Sequence, residues 1–285
     1  MRNEITIGAG FSLYSSLMWG ATGIWISYLS NLSLDTILFY RFLLSLLITS
    51  IIIYLTSQTL SLTKRAVCCG AALCCYYTFA TTAFLLANMV DVALIISTTP
   101  VFIIGVEFFK GVKPSLNKCI GAISALLGST LVIVGSATID QSTVNDDSHV
   151  LVGLLCALGA AITMAVFSLM SASKTVNVTS VNFWSYLLGL GLLLSWSVSA
   201  SELQSPDVHQ AGLLFALVLF STISAGMAYK YACQLAGPST AAIVRLSTPM
   251  FAVLLSFILL DRGLSLTHFI GAPFILIGVY WVLQS

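Results

Sequence analysis

Apolar runs of about 20 residues follow one another along this chain, separated by short polar breaks. The runs are Ile5–Leu29, Leu34–Thr56, Ala66–Asn88, Val90–Phe109, Asn117–Thr138, Val150–Ala172, Thr179–Ala200, Gln210–Ala232, Pro238–Leu260 and Ser265–Gln284. Each predicts a transmembrane helix, because about 20 apolar residues in a helix cover the hydrocarbon core of a bilayer. Barrel strands are excluded: they alternate in polarity over about ten residues, and these runs do not. The breaks have turn chemistry, as at Ser30-Asn31, Lys113-Pro114-Ser115, Ser205-Pro206-Asp207 and Gly237-Pro238. The longest break, Ile139 to His149, carries Asp140, Asp146 and Asp147. The first run is too long for a signal-peptide core, its Arg2 is offset by Glu4, and no A-x-A site closes it. It is read as a retained helix. The expected architecture is an all-α integral membrane protein with ten transmembrane helices.

Composition narrows the function classes. Of 285 residues, 58% are apolar and 7% charged, against about 25% charged in soluble domains; mean hydropathy is +1.02. Soluble enzymes and disordered chains do not look like this. A net charge of +1 offers no footprint for nucleic acid. Ten helices use about 200 positions, which leaves no room for a large extramembrane domain. The cations set the expected orientation. With the N-terminus in the cytoplasm, the inner side holds Arg2, Lys64, Arg65, Lys110, Lys113, Lys118 and Lys174, and the outer side holds only Arg262. Both termini are then cytoplasmic.

The two halves of the chain resemble each other. Ala87, Ser97-Thr98-Thr99-Pro100-Val101-Phe102, Gly121 and Gly128 are echoed by Ala236, Leu246-Ser247-Thr248-Pro249-Met250-Phe251, Gly271 and Gly278. The prolines and the alanines stand 149 residues apart, and the glycine pairs 150 apart. This divides the chain into a five-helix repeat over 1–138, an outer linker over 139–149 and a second five-helix repeat over 150–285. An odd number of helices makes the second copy enter the membrane from the opposite side, so the repeats are inverted. Inverted repeats are common in secondary transporters, whose sites lie near the midplane between the copies.

These features resemble the EamA family of the drug/metabolite transporter superfamily. The resemblance rests on the two halves, Trp19-Gly20, Arg41-Phe42 in the second helix, and the Thr-Pro-x-Phe stretches followed by paired glycines. It covers essentially the whole chain. It implies a multi-pass protein of the plasma (bacterial inner) membrane, with a central cavity lined by helices one to four and six to nine and with helices five and ten peripheral. Similar members move amino acids, related metabolites or drugs, mostly outward, and some take up S-adenosylmethionine. The family carries a Gly-Glu pair shortly after each proline-containing helix. Here Asp261 stands near that place in the second copy, while Gly111-Val112 in the first has no acid.

Ionisable residues inside a span are costly and face a cavity or a partner. Arg41 reads either as an anchor for a substrate carboxylate or as a structural arginine bonded to carbonyls. Arg245, four residues before Pro249 and matched by Ile96 in the first half, reads as a substrate or coupling residue, or as a partner of Glu107 or a lipid headgroup. Lys230 is expected to snorkel to the inner surface. Asp91 and Glu107 are the candidate coupling carboxyls, the alternative for Asp91 being a helix cap. Pro100 and Pro249 are hinges or static kinks. Trp19, Tyr40, Trp184 and Tyr186 are candidates to line an amphipathic cavity, against membership of an interfacial belt.

The seven cysteines lack zinc spacing and read as small packing residues. No Gly-x-x-x-x-Gly-Lys-Ser/Thr loop exists to bind ATP, and neither a metal nor a cofactor is expected. His149, His209 and His268 fall in loops or at helix ends, without the convergent nucleophile that a lipid-modifying enzyme needs. The expected activity is therefore transport, not catalysis: a secondary transporter of a small polar or zwitterionic solute, working outward by alternating access. Uptake of a nucleoside-like metabolite is the alternative. The expected partners are the solute and the lipid bilayer, with no nucleic acid; self-association into a homo-oligomer is left open.

Overall fold

The computed structural model describes residues 2–29, 31–87, 89–137, 147–175, 177–195, 203–260 and 263–284. Among them the chain forms helices and no strand. Asp140, Asp146, Glu202, Asp261 and Arg262 lie outside the described residues. The helices are α1 (Arg2–Gly20), α2 (Thr22–Tyr28), α3 (Leu34–Leu55), α4 (Lys64–Leu86), α5 (Met89–Ser97), α6 (Thr99–Phe109) and α7 (Leu116–Ala137). They continue as α8 (Asp147–Ser171), α9 (Val178–Ser195), α10 (Val208–Ala216), α11 (Ala225–Ala236), α12 (Pro238–Val244), α13 (Thr248–Leu260) and α14 (Leu266–Leu283). Their starts follow local capping chemistry. Ser33 and Thr63 accept from the backbone N–H groups of Thr36 and Ala66, and Asp207 and Gln210 form a reciprocal capping box.

Among the described residues, eight helical stretches are long and apolar enough to cross a bilayer. The two other expected spans differ. Val178–Leu194 is apolar but shorter, and the first run is divided at Ala21 between α1 and α2. The polarity of α1 is satisfied inside the protein: Ser12 donates to the Ala241 carbonyl at 2.7 Å, and Ser15 and Ser16 donate to the Ser12 carbonyl. Three expected single helices are composite. The run Val90–Phe109 breaks at Thr98, Pro238–Leu260 tightens into a 3-10 turn at Arg245–Ser247, and Gln210–Ala232 widens into a π-helix at Leu217–Ser224.

The two breaks at proline are built alike. Pro100 and Pro249 are the second residues of α6 and α13, where a missing N–H costs nothing to the helix they begin. The hydroxyls ahead of them close back onto carbonyls three residues upstream. Thr98 donates to Ile95 and Thr99 to Ile96, both at 2.6 Å; Ser247 donates to Val244 at 2.8 Å and Thr248 to Arg245 at 2.7 Å. Each pair in one half occupies the matching positions of the other.

Small residues let the helices touch backbone to backbone. A side-chain carbon at Gly128 would lie 2.6 Å from the Gly271 carbonyl, and one at Gly271 would lie 2.6 Å from that of Gly128. Gly121 and Gly278 are related in the same reciprocal way, at 2.7 and 2.6 Å. Helices α7 and α14 therefore pack antiparallel through matching surfaces. Their remaining faces, with Ile123, Leu127, Phe269 and Ile277, are exposed. A second matched pair joins Gly8 of α1 to the Ala236 nitrogen, and Gly153 of α8 to that of Ala87.

One end of the bundle gathers cations. Lys174 pairs with Glu4 at 3.8 Å, while Arg65 donates to the Ser173 hydroxyl and Gln234 to the Ser173 carbonyl. Overpacking an interface this close destabilises by about 1–3 kcal/mol. Gly128→Val is thus expected to lower the unfolding temperature of the detergent-solubilised protein, whereas Gly105→Ala, with nothing within 4 Å of the added carbon, is expected not to lower it.

Candidate functional site

The π-helix Leu217–Ser224 organises the centre of the bundle. Its wide turns are closed by bonds five residues apart, as from the Ala225 N–H to the Phe220 carbonyl, and such turns recur at functional sites. Two of its carbonyls receive side chains from other helices. Trp19 of α1 donates its indole N–H to Ser221 at 2.9 Å. Tyr77 of α4 and Tyr186 of α9 both donate to Thr222, at 3.1 and 3.2 Å. The Thr222 hydroxyl accepts from Arg41 Nε of α3 at 2.9 Å. Four helices are thereby tied to one turn.

Arg41 is 4% exposed, and its guanidinium carbon lies 4.5 Å above the Tyr77 ring. Among the described residues only Nε is hydrogen-bonded; the two terminal nitrogens meet no acceptor. Arg245 is 8% exposed, in the 3-10 turn before α13, 5.6 Å from the Trp19 ring and 5.7 Å from that of Tyr229. Its guanidinium makes neither a hydrogen bond nor an ion pair among the described residues, so the expected partnership with Glu107 is not formed. Rings bridge the two arginines: Tyr77 contacts Tyr76 at 5.6 Å, Tyr76 contacts Trp19 at 6.2 Å, and Trp19 contacts Tyr229 at 5.3 Å. The result is an aromatic row with a guanidinium at each end. Such groups bind carboxylates in a two-pronged geometry, and the rings supply a face for an apolar body.

The structure thus brings together Arg41, Arg245, Trp19 and Tyr186. Tyr40 points elsewhere, onto the cluster of Leu29, Leu32, Ile37, Leu214 and Leu217, since residues adjacent in a helix cannot share a face. Trp184 donates its N–H to the Ser61 carbonyl at 3.0 Å, which turns it toward the loop before α4. Asp91 is exposed and Glu107 half-buried, and neither forms an ion pair with a described cation. Lys230 does not snorkel: it is 0% exposed, because α1, α8 and α9 all pack on α11. Nothing in the spacing of residues marked Tyr76, Tyr77, Thr222 or Tyr229 as site residues, although tyrosines in mid-span are themselves a signal, since a buried hydroxyl needs a partner.

Thr222→Val keeps the side-chain shape and deletes the acceptor of Arg41. Leaving a buried charged donor without that partner costs about 1–3 kcal/mol, so thermal unfolding is expected at a lower temperature. Thr222→Ser, which retains the oxygen, should restore most of the loss.

The profile of the EamA-like transporter family matches residues 6–134 and 148–284. An uncharacterized transporter from Bacillus subtilis (strain 168), YoaV, is 23% identical over 195 residues. That match takes in 66% of this chain and 64% of the relative, so the chain spans just under two thirds of the relative's length. A protein known by its crystal structure superposes with a TM-score of 0.80 at 15% identity, over 98% of this chain and 97% of the other. That likeness is one of fold.

Proposed function

Because the chain belongs to the EamA-like transporter family, we propose that it is a secondary transporter of a small polar or zwitterionic solute, amino-acid-like or drug-like. It works by alternating access between two inverted five-helix halves. In this reading the α1–α2 stretch and α9 also cross the bilayer, for ten crossings in all. The cation-rich end that gathers Arg65 and Lys174 faces the cytoplasm, as the positive-inside rule requires, and net movement is outward across the plasma membrane.

The observation that carries the proposal is the pair of buried arginines with unmet donors at the two ends of the aromatic row. A membrane interior does not retain such donors for packing, where an apolar side chain of similar volume is as good or better. They serve a ligand. The inverted arrangement is supported by the reciprocal glycine contacts of α7 and α14 and by the matched hydroxyl bonds ahead of Pro100 and Pro249. Two similar halves can exchange their local conformations at nearly equal energy, turning a cavity open on one side into one open on the other. The proline breaks are the hinges at which they do so. Asp91 and Glu107, exposed and half-buried, are the candidate carboxyls for proton coupling; facilitated diffusion would use neither.

Proteoliposome counterflow with labelled amino acids and nucleosides tests the reading. Arg41→Ala and Arg245→Ala are each expected to reduce flux at least about tenfold, the loss of one charge-assisted contact of about 1.5–3 kcal/mol. Unchanged flux in the double variant would remove the arginines from the binding site.

A further inference from the structure

Hydroxyls buried in this bundle commonly pair within their own helix. Ser16, Thr81 and Ser168 each donate to the carbonyl four residues upstream, at 2.8, 2.7 and 2.7 Å. Among the described residues, five side chains instead hold a buried polar atom with no hydrogen-bond partner: Trp25, Ser45, Thr49, Asn182 and Ser185. Four of these five lie on only two helices, Ser45 and Thr49 on α3, Asn182 and Ser185 on α9. Each of the four is 2% exposed or less. Asn182 is the extreme case, since neither its Nδ2 nor its Oδ1 is paired.

The two helices pack closely: a side-chain carbon at Gly189 of α9 would lie 2.7 Å from the Phe42 ring of α3. Ser45 and Thr49 follow Arg41 at intervals of about one turn, or about 6 Å, on one face of α3. Asn182 stands four residues before Tyr186 and shares its face, and Tyr186 donates to the same Thr222 carbonyl as Tyr77. A side-chain carbon at Gly226 would meet the Tyr77 hydroxyl at 3.1 Å and Asn182 Oδ1 at 3.8 Å. Asn182 is therefore a neighbour of the ring on which Arg41 rests. The unpaired atoms adjoin the arginine site where α3, in the first family-matched segment, meets α9, in the second.

Unpaired polar atoms are costly in a bilayer, and a seam that only had to pack would do better with apolar side chains. Their chemistry defines the missing partner. An anion can pair only with donors and a cation only with acceptors, whereas an amide open at both ends, among hydroxyls that both donate and accept, is complemented by a group that does both. Resting on the transport reading above, we infer that the α3–α9 seam is a second pole of the solute site. It recognises an uncharged donor–acceptor group, a carboxamide or a hydroxyl, on a solute whose carboxylate is held at Arg41. Asn182 is the specificity-determining residue, and Ser45, Thr49 and Ser185 complete the pole. Parting of the two halves admits the group; closure without solute leaves the atoms unpaired.

Two isosteric pairs test this on the full-length protein: L-glutamine against 5-oxo-L-norleucine, and 4-carbamoyl- against 4-acetyl-L-phenylalanine. Within each pair a methyl ketone replaces the carboxamide, keeping the oxygen and losing the N–H donors. Binding is read by ligand-induced thermal shift and movement by proteoliposome uptake. In whichever pair binds, the carboxamide is expected to bind at least about tenfold more tightly than the ketone, the worth of about two neutral hydrogen bonds. Asn182→Leu should reduce that preference to less than about threefold. It should not lower the unfolding temperature of the empty protein, as it would if the amide held the fold together. Thr49→Val, which keeps the side-chain shape, should narrow the preference as well, and it decides the matter if the leucine variant does not fold. Equal or better binding by the ketones, or a preference that neither variant reduces, would overturn the seam assignment and leave transport standing. Failure of all four compounds to bind or move would overturn the amino-acid-like transport reading and this inference with it.

Discussion

A polar backbone group in a bilayer has no water to fall back on, so a helix can give up its regular pairing only where other parts of the protein supply partners. The π-helix at Leu217–Ser224 meets this requirement with side chains from α1, α4 and α9, which converge on the carbonyls of Ser221 and Thr222. Arg41 of α3 joins through the Thr222 hydroxyl. The positions of Arg41, Tyr77 and Trp19, and through them the aromatic row, all descend from that turn. Shift it by one residue and four helices lose their common point of attachment.

Around this centre the two halves are alike in scaffold and unlike in chemistry. Hydroxyl bonds ahead of Pro100 and Pro249, and the glycine contacts between α7 and α14, repeat from one half to the other. The polar groups do not. Arg245 stands where the first half has Ile96 and Lys230 where it has Thr81, while Gly226 matches Tyr77 and leaves that ring's hydroxyl its space, 3.1 Å from where a side-chain carbon would sit. The duplication is one of packing and not of charge.

Much of the architecture was legible in the residues, because apolar run length acts locally and does not depend on partners. The repeat could be read for the same reason: Ala87 with Ala236, and Gly128 with Gly278, keep their spacing whatever they touch. Helix breaks within a run were less visible. Pro100 and Pro249 signal theirs, whereas Leu217–Ser224 contains neither proline nor glycine and is widened by what binds to it. Tyr40 and Trp184 show a similar limit. Each is an aromatic beside a polar residue in a span, yet packing turned them toward other neighbours.

By itself the sequence determined that this protein is helical, crosses the membrane many times and is duplicated, since the hydrophobic requirement of a bilayer is written into composition and period. It also supplied the charges. Which of those charges are buried, and that Arg41 and Arg245 stand at opposite ends of one aromatic row, was decided only by tertiary structure. The physical reason is that a cation's environment is made by residues distant in the chain: Thr222 lies 181 positions from Arg41, and no local pattern records their meeting.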